Sequence, residues 1–319
     1  MQFGKKLLSE FPLDQKQLNI NHGSYGVEPL VIQQKRQKYI EMINKNPDQW
    51  FRFKLENKIQ KCRQTLSNYI NCDLEDLVFS RNATTAFSDV LNSIDWNQDD
   101  IVLHTNIIYV NINNQLKYLS QKRGIKLIEV NLTKELLNNH DQLLEFIEQI
   151  IQKNKKIKAF IFDHISSVPA LIFPVQRLSL LCKEYKIISI CDGAHCVGQI
   201  KLNLKEIDVD FYFSNLHKWL FTPRSFAFLY VNKKNQKNAF PAVIGYYYIQ
   251  NSFAEKFYQQ GTTDLSVYLT VRDALEYRKQ LGEEEIINHN RQLAWKVGQI
   301  VKDIWQSELL IDKKNQLVV

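Results

Sequence analysis

Short apolar runs alternate with longer helix-like segments through the middle of the chain, and this alternation limits the folds open to it. The runs predicted as strands lie at residues 77–80, 101–103, 126–130, 158–162, 187–191 and 211–213. The segments predicted as helices lie at residues 83–94, 109–121, 141–152 and 175–185. Strands separated by helices of this length form a mostly parallel sheet with helices on both faces. The sequence therefore predicts an α/β fold, a three-layer sandwich around a mostly parallel sheet.

Further helical segments flank this region on both sides. Two helices are predicted before it, at residues 29–44 and 49–70, and two after it, at 266–280 and 283–306. These patterns divide the chain into three predicted parts. They are an N-terminal loop with helices (1–70), a major α/β domain (71–265) and a helical C-terminal part (266–319).

Composition is that of an ordinary globular protein and argues against two classes of partner. Of the 319 residues, 45% are hydrophobic and 24% are charged, as in typical globular domains. No stretch approaches the length of a membrane span, and the first residues lack the apolar core of a signal peptide. The net charge of +7 includes lysine-rich stretches at 153–158 and 233–237, without interleaved aromatic residues. We therefore expect neither a membrane nor a nucleic-acid partner.

The cysteines give no sign of a disulfide framework or a zinc ribbon. Their number is odd and no Cys-x-x-Cys occurs among Cys62, Cys72, Cys182, Cys191 and Cys196. A reducing compartment fits this pattern, so we expect a cytoplasmic location. Packing is the expected role of Cys191, within an apolar run, and of Cys196.

A carboxylate and a lysine follow two neighbouring predicted strands. Asp192 comes directly after the run at 187–191, and Lys218 follows the run at 211–213. Ligands of open α/β sheets bind at the carboxyl ends of the strands. Pyridoxal phosphate needs such a pair, because a lysine amine forms a Schiff base with its aldehyde and a carboxylate keeps its pyridine nitrogen protonated.

Other interpretations of these residues stay open at this point. A lysine after a strand is usually a solvated cation, and an aspartate there is usually a turn or cap residue. Asp192, His195 and His217 could also be metal ligands, although no close ligand spacing supports a metal site.

Motifs spread across the chain add a family resemblance. The region of Lys218 reads DGAH, then DFYFSNLHKWLFTP and FAFLYV. Further motifs occur in order at residues 21–26, 46–53, 82–86, 163–167, 173–175 and 261–264. Together they resemble the class V aminotransferase family, and within it the isopenicillin N epimerase-like branch, which includes carbon–sulfur lyases. The resemblance implies fold type I of the pyridoxal phosphate-dependent transferases, with pyridoxal 5′-phosphate as cofactor.

The same resemblance implies three catalytic residues. Lys218 matches the Schiff-base lysine that later carries the proton at the substrate α carbon. Burial beside a cationic ring would lower its pKa toward the neutral range for that work. Asp192 matches the partner of the pyridinium nitrogen, and His195 is expected to hydrogen-bond the phenolic oxygen of the ring.

The remaining cofactor contacts are also implied by the resemblance. Ala83 and Thr84 open a helix whose N–H groups suit a phosphate, and Asn215 and His217 are expected at the same phosphate. Tyr109 is expected to stack over the cofactor ring.

Two further residues are implied at the edges of the site. Thr262 matches a phosphate contact made from a partner subunit, which implies a homodimer. His22 resembles a residue on the substrate side.

The C-terminal part departs from the family pattern. Family members continue into a small domain with its own sheet and a carboxylate-binding arginine, and here only its first helix is matched, so that domain is expected to be largely missing. Arg81 and Arg224 are the nearby guanidinium candidates.

The resemblance implies chemistry at the α carbon of a small-molecule amino acid. Epimerisation, carbon–sulfur cleavage and transamination all begin with removal of the same proton, and the sequence leaves the choice open. A persulfide-forming desulfurase is less expected, since no cysteine follows Cys196. The alternative is a cofactor-binding but inactive scaffold.

Overall fold

The computed structural model describes residues 3–249 and 252–311, and its centre is a seven-stranded sheet. The strands are β1 Leu77–Ser80, β2 Ile101–Thr105, β3 Lys126–Val130, β4 Ile157–Asp163, β5 Ile188–Asp192, β6 Phe211–Asn215 and β7 Ala227–Val231. Their order across the sheet is β1-β7-β6-β5-β4-β2-β3. Strands β3, β2, β4, β5 and β6 are parallel, and β7 runs antiparallel to β6 and β1. The predicted α/β fold with a mostly parallel sheet is confirmed.

Helices precede, connect and follow these strands. They are α1 His22–Tyr25, α2 Leu30–Lys45, α3 Pro47–Gln49, α4 Leu55–Ile70, α5 Ala83–Asn92, α6 Val110–Arg123, α7 Lys134–Asn138, α8 His140–Lys153, α9 Val175–Glu184, α10 Leu204–Ile207, α11 Phe253–Lys256, α12 Ser266–Leu269, α13 Val271–Leu281 and α14 Glu283–Trp305. Short 3-10 helices lie at Lys5–Glu10, Leu74–Asp76 and Lys233–Asn238, and a π-helical turn at Trp50–Lys54. Within the described ranges, no helix is both long and apolar enough to cross a membrane.

Successive side chains of each strand point to opposite faces of the sheet, so the hydrophobic core is divided between the two faces. Phe160, Cys191 and Tyr212 pack into one apolar cluster, with side chains of α4, α8 and α9. Ile161 and Ile190 pack into a second cluster on the opposite face, with α5 and α6. Since side chains alternate with a period of two, the last residues of β4 and β5 project toward the α5 face.

The structure contains one strand that was not predicted and alters two of the predicted helices. The predicted strands do not include β7, which returns beside β6 through a connection too short for a parallel crossover. The single helix predicted over 49–70 contains the π-helical turn Trp50–Lys54. The helix predicted over 266–280 is interrupted at Thr270, whose buried hydroxyl donates to the Val267 carbonyl at 2.7 Å.

Candidate active site

A pocket opens at the carboxyl ends of β4, β5 and β6, beside the first turn of α5. Its lining includes eight residues that the sequence predicts to be functional: Ala83, Thr84, Tyr109, Asp192, His195, Asn215, His217 and Lys218. The parallel strands explain this convergence, because their carboxyl ends meet at one edge of the sheet.

Lys218 lies in the turn after β6, with its side chain almost fully buried. Its Nζ is 2.9 Å from His195 Nε2, and the residue is 9% exposed. Burial lowers the pKa of Lys218 to about 8, and the charge of Asp192 partly opposes that shift. About a tenth of this amine is therefore unprotonated at pH 7, far more than of a free lysine, and the unprotonated amine is the state that attacks an aldehyde.

His195 is a neutral imidazole. Burial, aided by the nearby Lys218 charge, lowers the pKa of His195 to about 3. The Trp219 indole N–H donates to His195 Nδ1 at 3.4 Å. An imidazole that accepts at Nδ1 carries its hydrogen on Nε2 and donates it to the lone pair of an unprotonated Lys218 amine. Trp219 and His195 together thus favour the neutral lysine.

Asp192 is the last residue of β5 and is fully buried at the base of the pocket. Its Oδ1 accepts a hydrogen bond from the Ala194 N–H at 2.9 Å. Burial raises the pKa of this carboxyl, while the Ala194 N–H and the Lys218 charge lower it. Asp192 therefore has two groups that stabilise its anion.

The amino end of α5 points its backbone N–H groups toward the pocket. Asn215 Oδ1 accepts from the Ala83 N–H at 2.9 Å, and Asn82 caps the helix by accepting from the Thr85 N–H at 2.8 Å. The positive end of a helix dipole attracts anions. Ala83 and Thr84 at this end line the pocket, which suits them to a phosphate group.

Two glycines let other segments approach the lysine turn closely. A Cβ on Gly26, which has φ +64°, would lie 1.7 Å from the His217 carbonyl oxygen. A Cβ on Gly198, with φ +90°, would lie 2.4 Å from the Trp219 carbonyl oxygen. No side chain larger than hydrogen fits at either position, so both segments hold the backbone around Lys218 in place.

Arg278 strengthens the second of these contacts and is a residue that the sequence interpretation missed. It is 1% exposed and donates to the Trp219 carbonyl at 2.5 Å, to the Gly198 carbonyl at 2.8 Å and to Glu283. The sequence does contain a sign that Arg278 is buried. It lies on α13 at helical spacing from the buried residues Ala274 and Leu281. A charged residue at such a position requires buried partners.

Comparison with known proteins identifies the family. Residues 22–318 match the model of the family described as aminotransferase class-V. This chain belongs to the class-V aminotransferase family. It is a pyridoxal phosphate-dependent enzyme, as the motifs around Lys218 predict.

Several characterised relatives within this family carry enzyme names. The chain is 30% identical over 308 residues to hercynylcysteine sulfoxide lyase of Schizosaccharomyces pombe, covering 94% of this chain and 78% of that one. It is 27% identical to L-cysteine desulfhydrase of Arabidopsis thaliana, over 91% of this chain and 67% of that one. It is 22% identical to isopenicillin N epimerase of Streptomyces clavuligerus, over 91% and 76%. The predicted likeness to the epimerase branch is confirmed, and these relatives lend no support to an inactive scaffold.

The fold of a solved structure agrees with this assignment. The apo cysteine desulfurase from Thermococcus onnurineus superposes with a TM-score of 0.82 at 17% identity, over 99% of this chain and 81% of that one. At this level of identity, the likeness concerns the fold.

Thr262 and His22, which the sequence predicts to be site residues, lie outside the pocket that Lys218 lines. Thr262 is exposed in a loop after α11. His22 lies behind the lysine turn, where its Nε2 donates to the Lys218 carbonyl at 2.7 Å and its ring packs 5.1 Å from that of Trp219. His22 lines a separate apolar cavity with Phe11 and Phe221.

The two guanidinium candidates are also placed away from the pocket. Arg224 donates to the carbonyls of Tyr25 and Gly26 and so holds the loop in front of the pocket. Arg81 lines a separate cavity with Thr85 and Gly261. Among the described residues, no group of three His, Cys, Asp or Glu side chains is placed to hold a metal ion.

Proposed function

We propose that this class-V enzyme cleaves a carbon–sulfur bond of a cysteine-like amino acid, with Lys218 as the amine that binds the cofactor and moves the substrate proton. The observation that carries the proposal is the buried Lys218 Nζ, 2.9 Å from the neutral His195 and facing the charge of Asp192. A buried amine with a lowered pKa both attacks carbonyls and exchanges protons near neutral pH.

The residues around Lys218 fit pyridoxal phosphate. The Thr84 N–H and hydroxyl, at the amino end of α5 beside the Asn215-bonded Ala83, would hold its phosphate, Asp192 its ring nitrogen and His195 its phenolic oxygen. When bound, the cofactor supplies an electron sink for the substrate α carbon. Tyr109, which is 42% exposed and directly precedes α6, lines the pocket and would cover the cofactor ring.

The Lys218 amine would take the proton from the α carbon of the substrate. With L-cysteine, loss of the sulfur as hydrogen sulfide and addition of one water would yield pyruvate and ammonia. His195 would keep the amine directed into the pocket through their hydrogen bond. The surrounding burial would exclude bulk water from the proton transfer.

The placement of the cysteines favours release of the sulfur over its transfer to the protein. Across the described residues, no cysteine side chain lines the pocket. Cys196, the cysteine nearest Lys218 in sequence, is 0% exposed, and burial raises its thiol pKa far above the usual range. A persulfide acceptor needs an accessible thiolate.

We also propose a homodimer in which Thr262 reaches the partner's cofactor phosphate. Two observations support it: Thr262 is exposed away from its own pocket, and Tyr246 and Ile249 on the preceding loop are 81% and 83% exposed. Val243, Ile244 and Tyr248 on the same segment are also more than half exposed, and exposed apolar surface that is concentrated in this way marks interaction surfaces. Thr262→Ala should weaken cofactor binding by about 1.5–3 kcal/mol, the value of a hydrogen bond to a charged group. A monomer in sedimentation that keeps full cofactor affinity would contradict the proposal.

The decisive experiment uses cofactor absorbance and product release. Protein loaded with cofactor and freed of the unbound excess should absorb beyond the range of its aromatic residues, and borohydride should fix the cofactor to the peptide containing Lys218. L-cysteine and cysteine sulfoxide conjugates should then release sulfur products together with pyruvate.

The matched control is Lys201→Ala, which removes an exposed lysine and should leave the borohydride fixation intact, whereas Lys218→Ala should abolish it. A protein that stays colourless with added cofactor would refute the role of Lys218. Exchange of the α proton without release of sulfur would point to epimerisation instead.

A further inference from the structure

Asp163 places a second buried carboxyl beside Asp192. Asp163 ends β4, Asp192 ends β5, and the two residues are paired in the register of these parallel strands. Adjacent strands lie about 4.8 Å apart. Two residues earlier on each strand, Ile161 and Ile190 both belong to the core on the α5 face. Both aspartates therefore project toward that face, and both line the active-site pocket.

The two carboxyls have unequal surroundings. Asp192 accepts the Ala194 N–H at 2.9 Å and faces the Lys218 amine. Asp163 Oδ2 is buried and has no hydrogen-bond partner among the described residues. An anion at Asp192 is therefore stabilised by groups that an anion at Asp163 lacks.

Among the described residues, no cation lowers the pKa of Asp163, whereas the Lys218 charge lowers that of Asp192. On its own strand end, the buried His164 bonds to the Tyr212 hydroxyl at 3.0 Å, and burial lowers the His164 pKa to about 3, so it is neutral. The remaining titratable groups from the strands and turns packed there are His104 of β2, Cys191 of β5, Cys196 and His195 after β5, Tyr212 of β6 and Lys218 after β6. Burial raises the pKa values of Cys191, Cys196 and Tyr212 above their usual range, so these groups are neutral.

Two carboxyls this close in a buried site do not both ionise, and the proton resides on the one whose anion is less stabilised. We propose that Asp163 and Asp192 form a one-proton pair in which Asp163 is the neutral acid and Asp192 the anion. Asp163 is then a positioning residue, which confines the negative charge of the pair to the carboxylate that faces the cofactor's ring nitrogen. This last point rests on the proposed role of Asp192.

Burial, with the Asp192 charge added to it, raises the pKa of Asp163 well above its ordinary value. The folded state thus binds a proton that an unfolded aspartate releases near pH 3.9. As the pH rises from 5 to 8, the free energy of unfolding of the native protein therefore falls. A variant with a neutral amide at this position does not show this loss.

The test compares the same isosteric change at both positions. Asp163→Asn replaces a neutral acid with a neutral amide, so cofactor affinity should stay within about threefold; Asp192→Asn removes an anion and should lower affinity at least about tenfold. The melting temperature of Asp163→Asn should exceed that of the native protein by a margin that grows from pH 5 to pH 8. Equal losses of affinity in the two variants would overturn the proposal.

Infrared spectra of the apo protein provide a readout that needs no cofactor. The native protein at pH 7 should show the carbonyl stretch of a protonated carboxylic acid, sensitive to ¹³C labelling of aspartate. The band should lose the intensity of one acid in Asp163→Asn and keep any contribution from the buried Asp89, whose pKa burial raises to about 7. A band that is absent from the native protein, or that is unchanged in Asp163→Asn, would overturn the proposal even if a variant folds poorly. If the band behaves as expected but borohydride fixes no cofactor to Lys218, the carboxyl pair stands and the proposed function fails.

Discussion

The carbonyl oxygen of Lys218 accepts a hydrogen bond from His22 Nε2 at 2.7 Å, although the two residues are 196 positions apart. The His22 ring also packs against Trp219 and Phe221, at centroid distances of 5.1 and 5.6 Å. The segment before α2 thus braces the backbone of the lysine from the side opposite the pocket. His22 is placed to act through Lys218, and a contact with substrate stays a prediction.

Removing the His22 contact should weaken cofactor binding. His22→Ala deletes one hydrogen bond to the Lys218 backbone, worth about 1 kcal/mol, or roughly fivefold in affinity. His22→Gln places an amide N–H where Nε2 lies and should restore most of the loss. Absorbance titration of the apo protein with cofactor measures both. Unchanged affinity in His22→Ala would show that the brace is unnecessary.

The rate of cofactor capture should depend on pH through the Lys218 amine. Only the unprotonated amine attacks an aldehyde, and burial lowers the pKa of Lys218 to about 8. The capture rate should therefore rise with pH and level off above about pH 8. The charge of Asp192 raises the pKa of Lys218, so Asp192→Asn should move the midpoint of the profile to lower pH. Stopped-flow absorbance measures the profile, and a midpoint near about 10.4, the value of a free lysine, would contradict it.

Gly26→Ala should be strongly destabilising. Its Cβ would meet the His217 carbonyl oxygen at 1.7 Å, in a left-handed backbone conformation with φ +64°. Gly4→Ala is the matched control, with φ +86° and no atom within 4 Å. The control should cost about 1 kcal/mol from backbone strain alone. Urea unfolding should show a cost for Gly26→Ala of at least about 3 kcal/mol, and equal costs would mean that the loop shifts freely.

Arg278→Met should destabilise the protein by about 3 kcal/mol, because it leaves two buried carbonyls without their donor and Glu283 without its cation, while the Tyr69 hydroxyl still donates to Glu283. Arg36→Met is the control: Arg36 pairs with Asp264 at 2.9 Å but is 31% exposed, so its loss should cost under about 1 kcal/mol. Chemical denaturation of both variants measures the difference. Similar costs would show that the buried arginine contributes no more than the exposed one.

Much of the fold could be predicted because the chain repeats a simple pattern. Strands β1 and β3 begin and end where the apolar runs do, and β5 is shifted by one residue at both ends from its predicted range of 187–191. That difference makes Asp192 a strand residue, held in register with Asp163. The pairing of strands brings the predicted Asp192 and Lys218 together.

The supporting contacts could not be predicted, since they join segments distant in sequence. The approach of Gly26 to His217, and the bonds from Arg278 to Trp219 and Gly198, depend on how helices dock on the sheet. No local periodicity encodes such docking. The partner for Asp163 likewise follows from strand order, which places β4 beside β5.

The antiparallel strand β7 has a consequence for the dynamics of the site. Lys218 sits in the connection between β6 and β7, and both strands have hydrogen-bonded neighbours on each side, β5 and β1. The ends of this connection are therefore anchored in the interior of the sheet and open only when the sheet itself comes apart. Amide hydrogens of β6 and β7 should exchange as slowly in the apo protein as in the loaded one, and the cofactor should meet a backbone that is already in its final form.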